Sequence, residues 1–494
     1  MSISATKSKP RDPRLPLGLL LAIGTAVRIP QLGHSLFEAH SFRQTQTAFV
    51  IREYMRHGTD LLTTPLPVFG ASANVPMEMP LFQGLAAQIA RVGISAEMAG
   101  RILGLIGFQV AAVLLWVLVR RWFATTAATL AVALMQFLPF GLAWGASSLI
   151  DFSSVALGLG MVVSLDGYVR RGGAVGLALG AGSAWICALV KVTTAFPWCV
   201  LLLFAFAAVR GTRRPLGRIV TALALGPGVA VLVAGLWTRF ADNVKGGQPA
   251  TRFLTSDELA VWNFGDVSMR TSGSSYSSLG LHAFLEVGGP LGVGVLVAVF
   301  GALADRGSGW HRWGLVTATA SGPIVFFNLY AVHSYYWIAV FPMVCALMAL
   351  GIVTAAERLP TPATGKARLT ALLAGLMVVS AIAIPLGSSE ALQFARSPST
   401  PDLSARLAAM THPDEQVLVI GCDWDPTLLY GADRHGFMIR DGLASSRPSA
   451  ASITNYRYLL SCDDALKPED YLPAGWRASR TADPAMYSIE PVTP

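Results

Sequence analysis

The sequence predicts an all-α polytopic membrane protein of about eleven spans, followed by a small α/β domain at its C-terminal end. Three observations lead there. The 494 residues are 53% hydrophobic and only 13% charged, with a mean hydropathy of +0.53, whereas an ordinary globular chain carries about 25% charged residues. Apolar windows near the 20-residue length that crosses a bilayer recur along most of the chain. Arginines then fall in alternate connections between those windows, the distribution that orients a membrane protein.

The spans are expected near 15–32, 101–119, 124–142, 147–167, 174–190, 193–209, 219–238, 281–303, 313–331, 336–354 and 369–387. With the N-terminus and its Lys7, Lys9, Arg11 and Arg14 in the cytoplasm, five connections fall on the same side. They carry Arg120/Arg121, Arg170/Arg171, Arg210/Arg213/Arg214/Arg218, Arg306/Arg312 and Arg358/Lys366/Arg368. The short connections on the other side are nearly free of Lys and Arg. One missed span would invert every later loop, so agreement across five loops supports the whole series. The first span follows a basic start, as a signal peptide does, but Arg28-Ile-Pro30 offers no small-residue cleavage site, and an uncleaved anchor is expected. The net charge of +8 belongs to these loop clusters, so nucleic acid is not an expected partner.

The organisation is thus a basic cytoplasmic stretch 1–14, a membrane domain 15–387 and an extracytoplasmic domain 388–494. Two longer loops, 33–100 and 239–280, share the outer side with the C-terminal domain. In the first loop, Thr47–Met55 and Leu81–Val92 have helical apolar spacing and are expected to lie flat on the membrane, with the polar residues before Thr47 facing water. Beyond the Ser397–Pro401 linker, helix-like Leu403–Met410, strand-like Val417–Gly421, helix-like Pro426–Arg434 and strand-like Tyr456–Ser461 alternate as in a small α/β domain. Cys422 and Cys462 each follow a strand-like run. Adjacent parallel strands would bring them together as a disulfide in an oxidising compartment; the other reading is two unrelated buried thiols. Cys187, Cys199 and Cys345 sit in apolar spans, and no CxxC or His/Cys ligand spacing suggests zinc. No cofactor is expected, and the sequence leaves divalent-metal dependence open.

Chemistry gathers at one face of the membrane. Glu38-Ala-His40-Ser-Phe-Arg43-Gln44-Thr-Gln-Thr47 and Pro76-Met-Glu78-Met-Pro80 lie in the first outer loop. Asp151 falls near the outer end of the fourth span, Lys191 at the outer junction of the fifth and sixth, and His333-Ser-Tyr335-Tyr336 at that of the ninth and tenth. An ionisable residue within a span costs a few kcal/mol and tends to be functional, although each of these residues also fits a snorkelling side chain or an interfacial anchor.

Taken in this order, these motifs resemble the multispanning lipid-linked-sugar glycosyltransferases of the GT-C fold, in the branch (family 39) that holds protein O-mannosyltransferases, the lipid A aminoarabinose transferase and Rgt-like bacterial enzymes. The resemblance covers most of residues 12–355. It implies a polyprenyl-phosphate sugar as donor and a glycan, lipid or protein as acceptor, with transfer of a hexosyl or pentosyl group at the outer face and inversion of the anomeric centre. It also implies a carboxylate that takes the acceptor's proton. Family members usually carry an Asp-Glu pair at the start of the first loop helix, where this chain has Arg43-Gln44. The expected catalytic carboxylates are therefore Glu38, the nearest upstream, with Asp151 at the family's second acidic position and Glu78 as a further candidate. His40, Arg43, Gln44, Lys191, His333, Tyr335 and Tyr336 are expected to bind substrate.

Two other classes compete with this reading. A transporter or flippase of a lipid-linked or polar substrate would carry internal repeats and midplane charges, whereas here the charges collect at one face and no repeat is visible. A non-catalytic receptor would not need Asp151 and Lys191 at the same surface. The predominance of Arg over Lys and the abundance of Ala point to a GC-rich bacterial genome.

Overall fold

The computed structural model describes residues 14–209, 216–289, 292–303, 309–358, 399–440, 447–449 and 451–492, with isolated positions from 360 to 375. Apart from Thr370 and Gly375, the expected span at 369–387 lies outside the described residues, as do Ser397-Pro398 of the linker and the basic residues Lys7, Lys9, Arg11, Arg210, Arg213, Arg214 and Arg306.

Six described helices have the length and apolarity to cross a bilayer: Leu15–Gly33, Ala96–Trp122, Asp151–Arg171, Val192–Val209, Leu216–Gly246 and Phe341–Arg358. The first is α1 (Arg14–Arg28) with a 3-10 turn after it. Its exposed Leu15, Leu19, Ile23 and Val27, four residues apart, form a stripe that suits lipid. The helices α2 (Ser41–His57) and α3 (Leu81–Ala90) follow in the first loop, and α4 (Ala96–Trp122) is the second span. The expected third span is two pieces, α5 (Thr125–Phe137) and α6 (Pro139–Trp144), because Pro139 holds Leu138 extended. The break frees backbone carbonyls inside the packed bundle. Arg28, fully buried, donates at 2.7 Å to the Gln136 carbonyl, which the break leaves without its helical bond, and at 2.8 Å to the Gly141 carbonyl, which also accepts from Gly145 N–H, and so ties the two pieces together.

The central helix α7 (Asp151–Arg171) packs against α4, α8 (Ala174–Val190) and α9 (Val192–Val209). It starts at Asp151, four residues later than the expected span. The residues before it form an irregular buried segment whose backbone is bonded by neighbours: the Ser148 amide donates to Gln44 Oε1 at 3.2 Å and Arg101 donates to the Ala146 carbonyl at 3.1 Å. Gly104 of α4 permits this, since a Cβ there would lie 2.2 Å from the Ser147 carbonyl oxygen. Next come α10 (Leu216–Leu223) and α11 (Val229–Gly246), joined through a π-helical turn at Ala224–Gly228 that contains Pro227. The expected eighth span is likewise divided, into a π-helical turn at Leu281–Val287 and the helix Val293–Leu303, and the ninth breaks at Phe326 between Gly309–Val325 and Phe327–Val332.

The C-terminal domain contains a five-stranded sheet ordered β2-β1-β3-β5-β4, from β1 (Gln416–Ile420), β2 (Gly436–Ile439), β3 (Tyr456–Ser461), β4 (Trp476–Arg480) and β5 (Met486–Pro491). β1 runs parallel to β2 and β3, as the alternating pattern implies, whereas β5 is antiparallel to both β3 and β4. Strands β2, β4 and β5 were not legible in the pattern. Cys422 and Cys462, just past β1 and β3, are disulfide-bonded with their Cα atoms 5.4 Å apart.

This domain shares its core with the first loop. Leu36, Phe49, Leu66 and Val68 bury against Leu407, Val417, Leu429 and Met438, and Pro67–Gly70 runs along β2, with Met438 N–H donating to the Val68 carbonyl at 2.8 Å. The expectation of helices lying flat with water-facing polar residues is thus corrected for α2. Its polar run Gln44–Thr47 belongs to the helix and is buried, because bundle and cap close on it from opposite sides.

Candidate active site

A cavity of about 700 Å³ lies between the bundle and the C-terminal domain, and local structure aims its charged side chains. His40, in the left-handed region at φ 51°, is the residue at which the chain turns into α2, a backbone conformation that His adopts more readily than most residues. This puts Arg43 on the first turn, where it donates to Glu78 Oε1 at 2.9 Å and to Gln46 Oε1 at 2.7 Å. The Glu78 segment is held on two sides: Met79 N–H donates to the Leu189 carbonyl at 3.0 Å, and Trp237 Nε1–H donates to the Met77 carbonyl at 2.9 Å. Lys191 sits in the extended link between α8 and α9. Its ammonium donates to Asp151 Oδ1 at 2.6 Å and lies 4.5 Å from the centre of the Tyr336 ring, a cation–π distance. Asp151, the first residue of α7, is favoured there by the positive end of the helix dipole.

Burial by itself raises the Glu78 carboxyl, but the charges of Arg43 and Lys191 outweigh it and hold the group below its ordinary value. Glu78 is therefore a carboxylate at neutral pH. His333 is pushed down to about 3 by burial and by the positive charges of Arg43 and Lys191, so it stays neutral. His40 Nε2 is 3.1 Å from Ser334 Oγ, and its ring stands edge-on to those of His333 and Tyr335 at 5.5 and 5.0 Å. Arg43, Lys191, the Glu78 carboxylate and several neutral donors thus face one space, an arrangement that can hold an anionic group beside an ionised base.

Of the residues expected from sequence, His40, Arg43, Glu78, Lys191, His333, Tyr335 and Tyr336 line the cavity, whereas Glu38, Gln44 and Asp151 are not among its lining. Asp151 stands directly behind Lys191. Glu38 is buried in an ion pair with Arg101, 2.8 Å from whose guanidinium lies the Ser35 carbonyl, and Gln44 donates to Glu38 at 3.3 Å. The expectation that Glu38 faces the outer interface is corrected: Arg101, buried in α4 and needing an anion, holds it inward. Sequence reasoning missed Trp237, Asp242, Lys245, Trp262, Asp423, Trp424 and Arg440, which also line the cavity. Lys245 at the end of a span carried the intramembrane-charge signal. The cap residues carried none, because only the docking of the sheet brings them over the bundle. Among the described residues, no group of three or more His, Cys, Asp or Glu side chains is placed to hold a metal ion.

A divided all-helical bundle with a buried charged cavity beneath a C-terminal cap is the GT-C fold, and the chain is a multi-pass membrane protein of that fold. The particular structures it is similar to include ArnT from Cupriavidus metallidurans bound to undecaprenyl phosphate, at TM-score 0.63 and 14% identity over 96% of this chain and 97% of that one. The oligosaccharyltransferase AglB from Archaeoglobus fulgidus, solved with an inhibitory peptide and a dolichol-phosphate, matches at TM-score 0.56 and 13% identity over 91% of this chain and 69% of that one. Its apo form matches at TM-score 0.57 over 92% of this chain. No family model and no curated protein matches the sequence.

Proposed function

We propose that this protein transfers a sugar, a hexosyl or pentosyl group, from a polyprenyl-phosphate donor to an acceptor at the outer face of the cytoplasmic membrane, with inversion. The cavity is the observation that carries this reading. It joins an anion-binding end, made by Arg43 and Lys191, to an apolar wall that includes Leu189, Val192 and Ala234, the chemistry of a lipid with a charged head. ArnT and AglB, both GT-C glycosyltransferases, were solved with lipid phosphates bound, which supports the same assignment. The arginine alternation supports a cytoplasmic N-terminus and a C-terminal domain outside.

In the mechanism, the acceptor hydroxyl oxygen attacks the anomeric carbon while its proton passes to a carboxylate. The bond from that carbon to the phosphate oxygen breaks, and the lipid phosphate leaves with the electron pair. Glu78 is the proposed base, since it lines the cavity ionised while Glu38 is committed to Arg101. General base assistance contributes roughly 10²–10⁴-fold. Lys191 and Arg43 stabilise the charge that grows on the phosphate, and Asp151 positions Lys191. The test is transfer in detergent from synthetic polyprenyl-phosphate sugars. Release of polyprenyl phosphate that depends on Glu78 supports the reading, and transport of the lipid without bond cleavage refutes it.

A further inference from the structure

The C-terminal domain contributes its own wall to the cavity. β1 runs into the turn Cys422-Asp-Trp-Asp425, clamped to the end of β3 by the Cys422–Cys462 disulfide. Two side chains of this turn, Asp423 and Trp424, line the cavity together with Arg440, from just past β2. Trp424 stands among aromatic rings: Phe42 of α2 meets it edge-on at 4.5 Å, Phe69 lies nearly parallel at 6.0 Å and Phe253 is 6.0 Å away. Arg440 donates to Asp423 Oδ1 at 2.7 Å and covers the Phe253 ring at 4.0 Å. Asp423 turns the chain at φ 50°, a left-handed conformation that Asp adopts more readily than most residues.

Resting on the donor assignment above, we infer that this turn is an acceptor subsite for a carbohydrate ring, with Trp424 as its platform and the Asp423–Arg440 pair as its hydroxyl clamp. A pyranose presents a face of C–H groups and an edge of vicinal hydroxyls. The first packs on an indole, and the second donates to a carboxylate and accepts from a guanidinium. A lipid acceptor would have no use for the paired charges. A peptide added to the sheet as a further strand would need a free edge, but β2, the edge strand on this side, already carries Pro67–Gly70, with Gly436 N–H donating to the Pro67 carbonyl at 2.9 Å and Gly70 N–H to the Gly436 carbonyl at 2.8 Å. Donor phosphate and acceptor ring therefore share one cavity, the first held by the bundle and the second by the cap. Sugar-acceptor specificity then resides in the cap, and the disulfide keeps the platform in register with Arg43 and Glu78.

Saturation-transfer NMR on the full-length protein in nanodiscs tests this, with maltose, cellobiose and chitobiose as ring probes, a Ser/Thr-containing peptide as the rival and polyprenyl phosphate as the donor-side probe. At least one disaccharide is expected to receive saturation on its ring protons. Trp424→Leu, which keeps apolar volume but not the flat face, should weaken this by about tenfold, Trp424→Phe should retain most of it, and neither should change polyprenyl phosphate binding. A disaccharide signal that is absent from the wild type, or unaffected in Trp424→Leu, overturns the proposal, as does a peptide signal that depends on Trp424. Failure of polyprenyl phosphate to bind the wild type instead overturns the donor reading, and the disaccharide result is read separately from it.

Discussion

Neutralising Lys191 should separate folding from chemistry. Its ammonium and the Asp151 carboxylate are 2.6 Å apart, with side chains 3% and 2% exposed, so either alone is a buried, uncompensated charge. Removing one partner of such a pair costs about 3–5 kcal/mol, while replacing both with neutral groups of similar size is often close to neutral. Lys191→Met and Asp151→Asn should therefore each lower the unfolding temperature in detergent, and the double variant should recover most of the loss. Activity should behave differently. If Lys191 stabilises the departing phosphate, its loss removes one charged donor from the transition state, worth roughly 10²–10³-fold in turnover, and the double variant regains its stability but not its rate. The assay pairs thermal unfolding with initial rates of polyprenyl phosphate release. A double variant that recovers both would make the pair purely structural, and single variants as stable as the wild type would refute the energetic argument itself.

The two first-loop carboxylates should also part company: Glu78→Gln should lose about 10²–10⁴-fold in turnover. Glu38→Gln, which strands the buried Arg101, should show its main loss in unfolding temperature, and equal rates for the two variants would contradict the assignment. Because Arg43 is the leading charge that holds the Glu78 carboxyl below its ordinary value, the protonation that removes activity should occur only in acid, and Arg43→Met should move that limb of the pH–rate profile upward. A profile that stays in place would show that Arg43 does not tune Glu78. His333 is held at about 3 against an ordinary 6.5, so its contribution to stability is complete above pH 6.5 and falls away as the pH drops toward 3. Replacing it by Gln should flatten the pH dependence of unfolding in that window. Replacing Cys422 and Cys462 by Ser opens a crosslink of sequence separation 40, and chain entropy puts its contribution at about 4 kcal/mol; limited proteolysis of the cap should accelerate, and unchanged cleavage would argue against that contribution. Reporter fusions after Gly172 and after Pro401 should read opposite sides of the membrane, and agreement between them would overturn the proposed topology.

The class of protein and the helix positions of most spans are legible in residue order alone, because crossing a bilayer demands long apolar windows and basic clusters mark the loops between them. Both signals are local. Asp151, Lys191 and the His333–Tyr336 run stood out for the same reason, as polar groups in apolar surroundings. The breaks at Leu138, after Val287 and at Phe326 were hidden, since a split span has the same hydropathy as a whole one. Which first-loop carboxylate faces the cavity follows from packing alone. Glu38 and Glu78 are both acidic residues in a polar loop, and what turns one inward is Arg101, 63 residues away in a helix whose charge must be neutralised where it is buried. The roof of the cavity was beyond the sequence for a similar reason. Trp424 and Arg440 meet Phe42 and Phe253 only after a sheet from the end of the chain has docked on the first and second outer loops, and no periodicity or spacing encodes a contact between segments so far apart.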